Sequence, residues 1–311
     1  MQIQIEPLPV DTVLVLGAGA SCHLGYPIGS SLCEEIIRNT DNKNLDAHAK
    51  FIEMGFSAGE IEAFHIALKT GLTNTIDELL AANIDLIPIG RAAIAQALIQ
   101  HENFEKLYGR QSNWFTLLAG AVKAGLTKNN LSMAIVTFNY DRSVDQALQS
   151  SCEPVCSKLG LSSYLEDYLP ILHVHGRLGY LPHQKAEGIK RSYSSDVSIE
   201  QILSASKNIK VPCELESDYG DEMLLAQKLI AQAKKVILLG FGYDQVNLFR
   251  LRIVDPFVGQ CWPGDNKYFG TGYRLRQSDR LKLAEQSVQR LTVGHYDHDT
   301  YSFLYRNAYL E

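Results

Sequence analysis

Four short segments of this chain carry the residue types that anion binding and proton transfer use. Gly17-Ala18-Gly19-Ala20-Ser21 is a glycine turn ending in a hydroxyl. Asn139-Tyr140-Asp141 sets a carboxamide and a carboxylate two residues apart, and His173-Val174-His175-Gly176 spaces two imidazoles the same way. Gly240-Phe241-Gly242-Tyr243-Asp244 repeats the glycine turn and adds an acid. A Gly-x-Gly turn bares backbone N–H groups, which take phosphate oxygens. A carboxamide can hold a sugar hydroxyl or a water. An imidazole, with an ordinary pKa of about 6.5, suits a general base at neutral pH. Each segment also has a plainer use. Gly-x-Gly makes an ordinary structural turn, an asparagine at a strand end bonds its own backbone, and His-x-His reads as a metal pair or as one structural imidazole beside one base.

Each segment follows an apolar run, at residues 12–16, 133–138, 171–174 and 236–239, and 290–294 is a fifth such run. Short β-branched and aliphatic runs without polar alternation suit parallel strands buried on both faces. Helical spacing lies between them, at 142–149 and at 221–234, where Met223, Leu224, Leu225, Leu229 and Ile230 share a broad face. Ser31-Leu32-Cys33-Glu34 spells a capping box. Strands alternating with helices predict an α/β fold, a Rossmann-like, mostly parallel sheet flanked by helices. In such a sheet ligands sit outside the carboxyl ends of the strands, near a switch point, so the four segments are expected to converge on one crevice. The expected organisation is a single domain over residues 1–311. It carries a helical insertion at about 45–128, where the strand signal disappears, and a loop-rich excursion at about 177–220 that would suit a lid.

Other nucleotide folds fit less well. The dehydrogenase fingerprint needs a glycine three residues after the second one, and Cys22 stands there. Asp41, where the ribose-binding acid would fall, lies in a polar stretch. No Gly-Lys-Ser/Thr occurs, so a P-loop is excluded. The net charge of −6 and the pI near 5.9 argue against nucleic acid as the main ligand, and the one basic cluster, Lys185, Lys190 and Arg191, reads as a solvated loop. The six cysteines, at 22, 33, 152, 156, 213 and 261, form no Cys-x-x-Cys pair. They suit scattered reduced thiols rather than a zinc site, and with them a cytoplasmic protein. The first residues lack the basic and apolar regions of a signal peptide. No apolar run approaches the roughly 20 residues that span a bilayer, so no membrane contact is expected.

Read together, the segments resemble a known family. Gly17-Ala18-Gly19-Ala20-Ser21 followed by Gly25-Tyr26-Pro27 resembles the sirtuin signature Gly-Ala-Gly-x-Ser…Gly-x-Pro. Thr137-Phe138-Asn139-Tyr140-Asp141 is similar to the sirtuin Thr-Gln-Asn-x-Asp segment, and His175-Gly176 to its catalytic His-Gly. The glycines at 240 and 242 stand where sirtuins have a Gly-Thr-Ser turn. The departures point to a branch of that family. Ile28-Gly29-Ser30 replaces Asp-Phe-Arg, Phe138 replaces the glutamine, and the zinc cysteines of the small domain give way to the helical region. In these features, in residues 75–80 and in Asn113-Trp114-Phe115, the chain resembles the sirtuin-like domains of bacterial antiviral defence systems.

That resemblance implies an NAD+ hydrolase that cleaves the nicotinamide–ribose bond and depletes NAD+ in antiphage defence, with NAD+ as substrate and no metal. It implies Asn139 and His175 as the catalytic pair and Gly17, Ala18, Gly19 and Ser21 as the nucleotide-binding turn. Asp141 would meet the nicotinamide carboxamide, and Gly240, Gly242 and Asp244 would line the adenosine end. It further implies a homo-oligomer, or a separate controlling chain such as a HerA-type translocase ATPase or an Argonaute-type protein. Two alternatives remain: an NAD-dependent protein deacylase, whose peptide groove would lack the zinc module, and a catalytically silent nucleotide-sensing or assembly subunit.

Overall fold

The computed structural model of the chain describes residues 10–310, other than 72, 74, 110–112, 188–189, 212–219, 254–266, 287–289 and 308. Cys213, Cys261 and parts of the 177–220 segment therefore lie outside the described residues. Strand β1 (Thr12–Leu16) runs into a 3-10 turn (Ala18–Leu24). There follow helices α1 (Gly29–Thr40), α2 (Leu45–Glu53), α3 (Ala58–Thr70), α4 (Ile76–Ala82), α5 (Ile87–Ile99), α6 (Phe104–Leu107) and α7 (Trp114–Lys128). The middle of the chain gives β2 (Met133–Thr137), α8 (Ser143–Leu159), β3 (Ile171–His173), α9 (Ile199–Ser206) and α10 (Asp221–Gln232). The last part gives β4 (Lys235–Leu239), α11 (Gln245–Arg250), β5 (Lys267–Gly270), α12 (Gln277–Gln286), β6 (Leu291–Val293) and α13 (Thr300–Asn307).

The six strands form one parallel sheet in the order β3-β2-β1-β4-β5-β6. This is the doubly wound Rossmann-like arrangement, and its order reverses between β1 and β4. Leu16 pairs with Thr137 on one side and Leu239 on the other, so the three central strands end level. Gly17, Phe138 and Gly240 thus leave the sheet side by side.

Successive side chains point to opposite faces of a strand. Leu14, Leu16, Ile135, Ile237 and Leu239 join one apolar core, and Val13, Val15, Val136, Val236 and Leu238 join the other. Both faces are covered, which is why the strands read as unbroken apolar runs. Phe51, Phe64, Leu80, Ile94, Trp114 and Val122, from the helices between residues 45 and 128, belong to the first core. Helices α10, α11 and α12 cover the second face through Met223, Leu229, Leu248 and Leu283.

Local details depart from the sequence reading in identifiable ways. Ile28 is extended and α1 begins at Gly29, so Ser31 lies inside the helix and residues 31–34 form no capping box. Capping boxes form instead at Ser57 with Glu60 and at Ser198 with Gln201. Helix α8 continues ten residues beyond 149, past Pro154, whose presence ended the legible pattern. The 290–294 run is β6, the sixth strand; β5, four residues long, gave no periodicity to read.

The basic cluster divides: Lys185 and Lys190 are exposed, as a solvated loop would have them, whereas Arg191 is buried. Glu102 accepts from Arg142 at 3.0 and 2.7 Å and from Arg191 at 2.7 and 2.9 Å, with all three side chains buried. Arg142 also donates to the Tyr180, Arg191 and Ser192 carbonyls. Lys185 pairs with Asp167, and Lys190 bonds the Gln184 carbonyl. This network ties Tyr180 and residues 191–194 to the end of α5 and the start of α8. Among the described residues no helix is long and apolar enough to cross a membrane.

Candidate active site

The site is built around two interlocked turns. The Gly17 N–H donates to the Leu239 carbonyl at 3.0 Å, and the Gly19 N–H to the Gly240 carbonyl at 3.0 Å. Gly240 sits at φ +55°, and a Cβ there would lie 1.9 Å from the Ala20 nitrogen. A Cβ on Gly17 would lie 2.7 Å from the Gly240 oxygen. Only glycine permits this approach. Two amides that the sequence offered to phosphate are therefore occupied by protein carbonyls. Gly19 and Gly240 form the clasp beneath the crevice rather than its lining. Trp114, at the start of α7, pins the same turn by donating Nε1–H to the Ala20 carbonyl at 2.8 Å.

Beside the clasp, the Asn139 Nδ2 donates to the Gly17 carbonyl at 3.0 Å and to Ser21 Oγ at 3.2 Å. A carbonyl only accepts, which fixes the amide's orientation and leaves Oδ1 as an acceptor for a ligand. Ser21 in turn donates to Asp141 Oδ2 at 2.7 Å, and Asp141 Oδ1 accepts the Ser143 N–H at 3.0 Å as α8 begins. The Ser21 hydroxyl hydrogen is thus already engaged, and Ser21 bridges Asn139 to Asp141.

The two histidines part company because β3 ends at His173. His173 contacts the Asn139 carbonyl through Nδ1 at 3.0 Å and Asp145 through Nε2 at 2.9 Å. Both partners accept, so both ring nitrogens serve the scaffold. Burial raises the Asp145 pKa, but the neighbouring His173 and Arg177 outweigh it and hold the carboxyl at about 2. His175 lies beyond the strand, where its carbonyl accepts the Lys210 N–H at 2.9 Å. Gly176 follows at φ +75°, too close to the Asn208 oxygen, at 1.9 Å, for any Cβ.

The His175 side chain faces the crevice, 6% exposed, with the Phe138 ring edge-on at 5.1 Å. Its Nε2 is buried without a protein partner. Burial, helped by the charge of Arg250, lowers its pKa to about 3, so the ordinary value of a free imidazole does not hold here. With both ring nitrogens of His173 engaged by protein acceptors, only His175 of the two lines the crevice. Among the described residues no group of three or more potential ligands could hold a metal.

The crevice has a volume of about 280 Å³ and opens at the carboxyl ends of β1, β2 and β4. Gly17, Ala18, Ser21, Asn139, Asp141, His175, Gly242 and Asp244 all line it. Gly242 has open space where a Cβ would stand. Asp244 is exposed and accepts the Asn247 N–H at 3.0 Å as the N-cap of α11. The fold adds lining residues to which the sequence reading gave no role: Tyr26, Thr75, Asp77, Tyr140 and Asn247. The Tyr140 hydroxyl donates to Asp77 at 2.8 Å, and burial raises the pKa of both. In sequence Asp77 is one acid in the first turn of an amphipathic helix, beside Glu78, and nothing local distinguishes the two.

Fold and crevice together define a doubly wound α/β protein with a crevice at its switch point, where such folds bind ligands. No family model matches the chain, and no curated protein is significantly similar to it.

Proposed function

We propose that this crevice hydrolyses the nicotinamide–ribose bond of NAD+, releasing nicotinamide, ADP-ribose and a proton. The observation that carries the proposal is the buried, unpartnered His175 Nε2 in the same pocket as Asn139. An unsatisfied buried nitrogen costs about 1–3 kcal/mol, and a ligand or its attacking water relieves that cost. The sirtuin-like motifs and the Rossmann-like switch point support the same reading. The volume lies near the lower end of the roughly 300–1,000 Å³ of small-molecule sites. It suits the nicotinamide–ribose end, with the rest of the dinucleotide running out past Gly242 and Asp244.

Nicotinamide is a cationic substituent on an anomeric carbon. When the C1′–N bond breaks, its electron pair goes to nicotinamide, which leaves neutral without help from an acid. The ribose passes through an oxocarbenium-like state, as in glycoside hydrolysis. Water then forms the new C1′–O bond. Its proton is strongly acidic once that oxygen is bound to the cationic carbon, so an imidazole with a pKa of about 3 is base enough to take it. The same low pKa keeps His175 neutral and ready at every physiological pH. Asn139 Oδ1 accepts a hydrogen from that water or from a ribose hydroxyl. Ser21 and Asp141 hold Asn139 in place, and Phe138 and Phe241 wall out bulk water.

The test is NAD+ consumption by the purified chain with chromatographic identification of products, beside Asn139→Ala and His175→Ala. The expected result is nicotinamide plus ADP-ribose from the unaltered protein and a loss of about 10²–10⁴-fold in the His175 variant. Variants as active as the parent would overturn the assignment. Acceleration of NAD+ loss by an acyl peptide would point to a deacylase instead, and binding without turnover to a nucleotide-sensing subunit. Action in antiphage defence, self-association and control by a HerA-type ATPase belong to the same proposal and rest on the resemblance.

A further inference from the structure

Among the described residues three carboxylates line the crevice, Asp77, Asp141 and Asp244, and no lysine or arginine does. The three are not equivalent. Asp141 has both oxygens engaged by Ser21 and Ser143. Asp244 is exposed and caps α11. Asp77 is partly buried, and Tyr140 bonds its Oδ1, which leaves Oδ2 for a ligand. Tyr140 connects this carboxylate to the reacting end, because its ring lies 6.3 Å from the ring of His175. His175 is neutral and adds no opposing charge. Arg250, outside the lining, is a positive group whose field reaches Asp77, Tyr140 and His175, and the field of Arg91 also reaches Tyr140.

We propose that the crevice selects its ligand by charge, and that Asp77 distinguishes the oxidised, cationic nicotinamide ring from the reduced, neutral one. This rests on the nicotinamide end occupying the crevice, as proposed above. NAD+ and NADH share their riboses, pyrophosphate and adenine. They differ by a hydride and by one unit of charge, both on the nicotinamide ring. Only the cationic ring departs as a neutral molecule, so a bound NADH would block the site without reacting. A carboxylate at the ring edge provides the discrimination that this chemistry needs. Two unit charges about 6 Å apart, at an effective dielectric constant of about 20, are worth on the order of 100-fold in binding. Partial exposure of Asp77 and the opposing field of Arg250 reduce this to about 10-fold.

The test uses the full chain and two probes. One is carba-NAD+, in which a carbocycle replaces the nicotinamide ribose, so the cationic ring is kept and cleavage is blocked. The other is NADH. Calorimetric titration of the parent protein is expected to favour carba-NAD+ by about 10-fold or more. Asp77→Asn, which keeps a hydrogen-bond partner for Tyr140, is expected to bring the two affinities together by weakening carba-NAD+ alone. Tyr140→Phe, which keeps the carboxylate, is expected to retain the preference. Equal binding of both probes by the parent overturns charge selection while leaving dinucleotide binding in place. An unchanged ratio in folded Asp77→Asn, or loss of the ratio in Tyr140→Phe, removes Asp77 as the discriminating residue. Failure of the parent to bind either probe sinks the underlying NAD+ proposal and this inference with it.

Discussion

Acidification should act on this protein through one imidazole. In the unfolded chain His175 takes up its proton near pH 6.5, whereas in the native crevice it does so at about 3. Between those values the unfolded state holds one proton more than the native state, so stability falls as the pH drops. The burial that depresses the pKa therefore leaves stability intact above about 6.5 and erodes it progressively below. At pH 5 the unfolded imidazole is about 1.5 pH units below its pKa. At 1.36 kcal/mol per unit, His175 alone then removes about 2 kcal/mol of stability relative to pH 7. His175→Leu fills the same apolar wall without a titrating group. Urea unfolding followed by circular dichroism at pH 7 and pH 5, for parent and variant, isolates the contribution, because every other group cancels in the double difference. The parent is expected to lose about 2 kcal/mol more than His175→Leu over this interval. Equal losses in the two proteins would refute the buried neutral imidazole.

Four further outcomes follow from the geometry. The pH profile of kcat/KM for NAD+ cleavage should show no inflection near 6.5 that His175→Ala abolishes, because His175 is already neutral there. Gly240→Ala should lose both stability and dinucleotide binding, since its Cβ would overlap the Ala20 nitrogen, whereas Gly242→Ala should fold normally; thermal melts compare the two. Ser21→Ala leaves Asp141 and Asn139 each short of a partner, so it should cost about 1–3 kcal/mol in denaturant unfolding and lower kcat. Glu102→Ala leaves Arg142 and Arg191 buried without their carboxylate and should cost about 3–5 kcal/mol by the same measurement, with heightened proteolysis near residues 180–194.

The sheet was legible because its central strands are buried on both faces, and the apolar runs that result have few other uses. Residues 12–16 were read without error, since the glycine turn marks where that strand stops. Asn139 and His175 were legible because each directly follows such a run. Less could be read where long-range contacts decide. Asp77 enters the crevice only because α4 packs on the first face of the sheet, and its neighbours carry no trace of that. The depressed pKa of His175 comes from burial in the crevice wall beside Phe138, helped by Arg250, and the Ser21 hydroxyl looks available in sequence although Asp141, 120 residues away, engages it. The 177–220 segment is rich in serine and looked loose, yet Arg191 within it is buried against Glu102.

The reversal of strand order between β1 and β4 divides the crevice unevenly. Ser21, Asn139, Asp141 and His175 all leave strands on one side of that line, and Asp77 comes from α4, which packs into the core on one face of the sheet. The other half, entered at β4, contributes a glycine turn, a helix cap and Asn247. The groups proposed to handle protons therefore sit on one module, and those proposed to meet the distal length of a ligand sit mostly on another. The clasp of Gly17, Gly19 and Gly240 joins the two at a fixed spacing without using any side chain. On the proposed reading, such a division would make reactivity and the hold on a ligand's distal part separately adjustable. Recoding residues 242–247 changes what is held, while the apparatus that would break the bond is untouched.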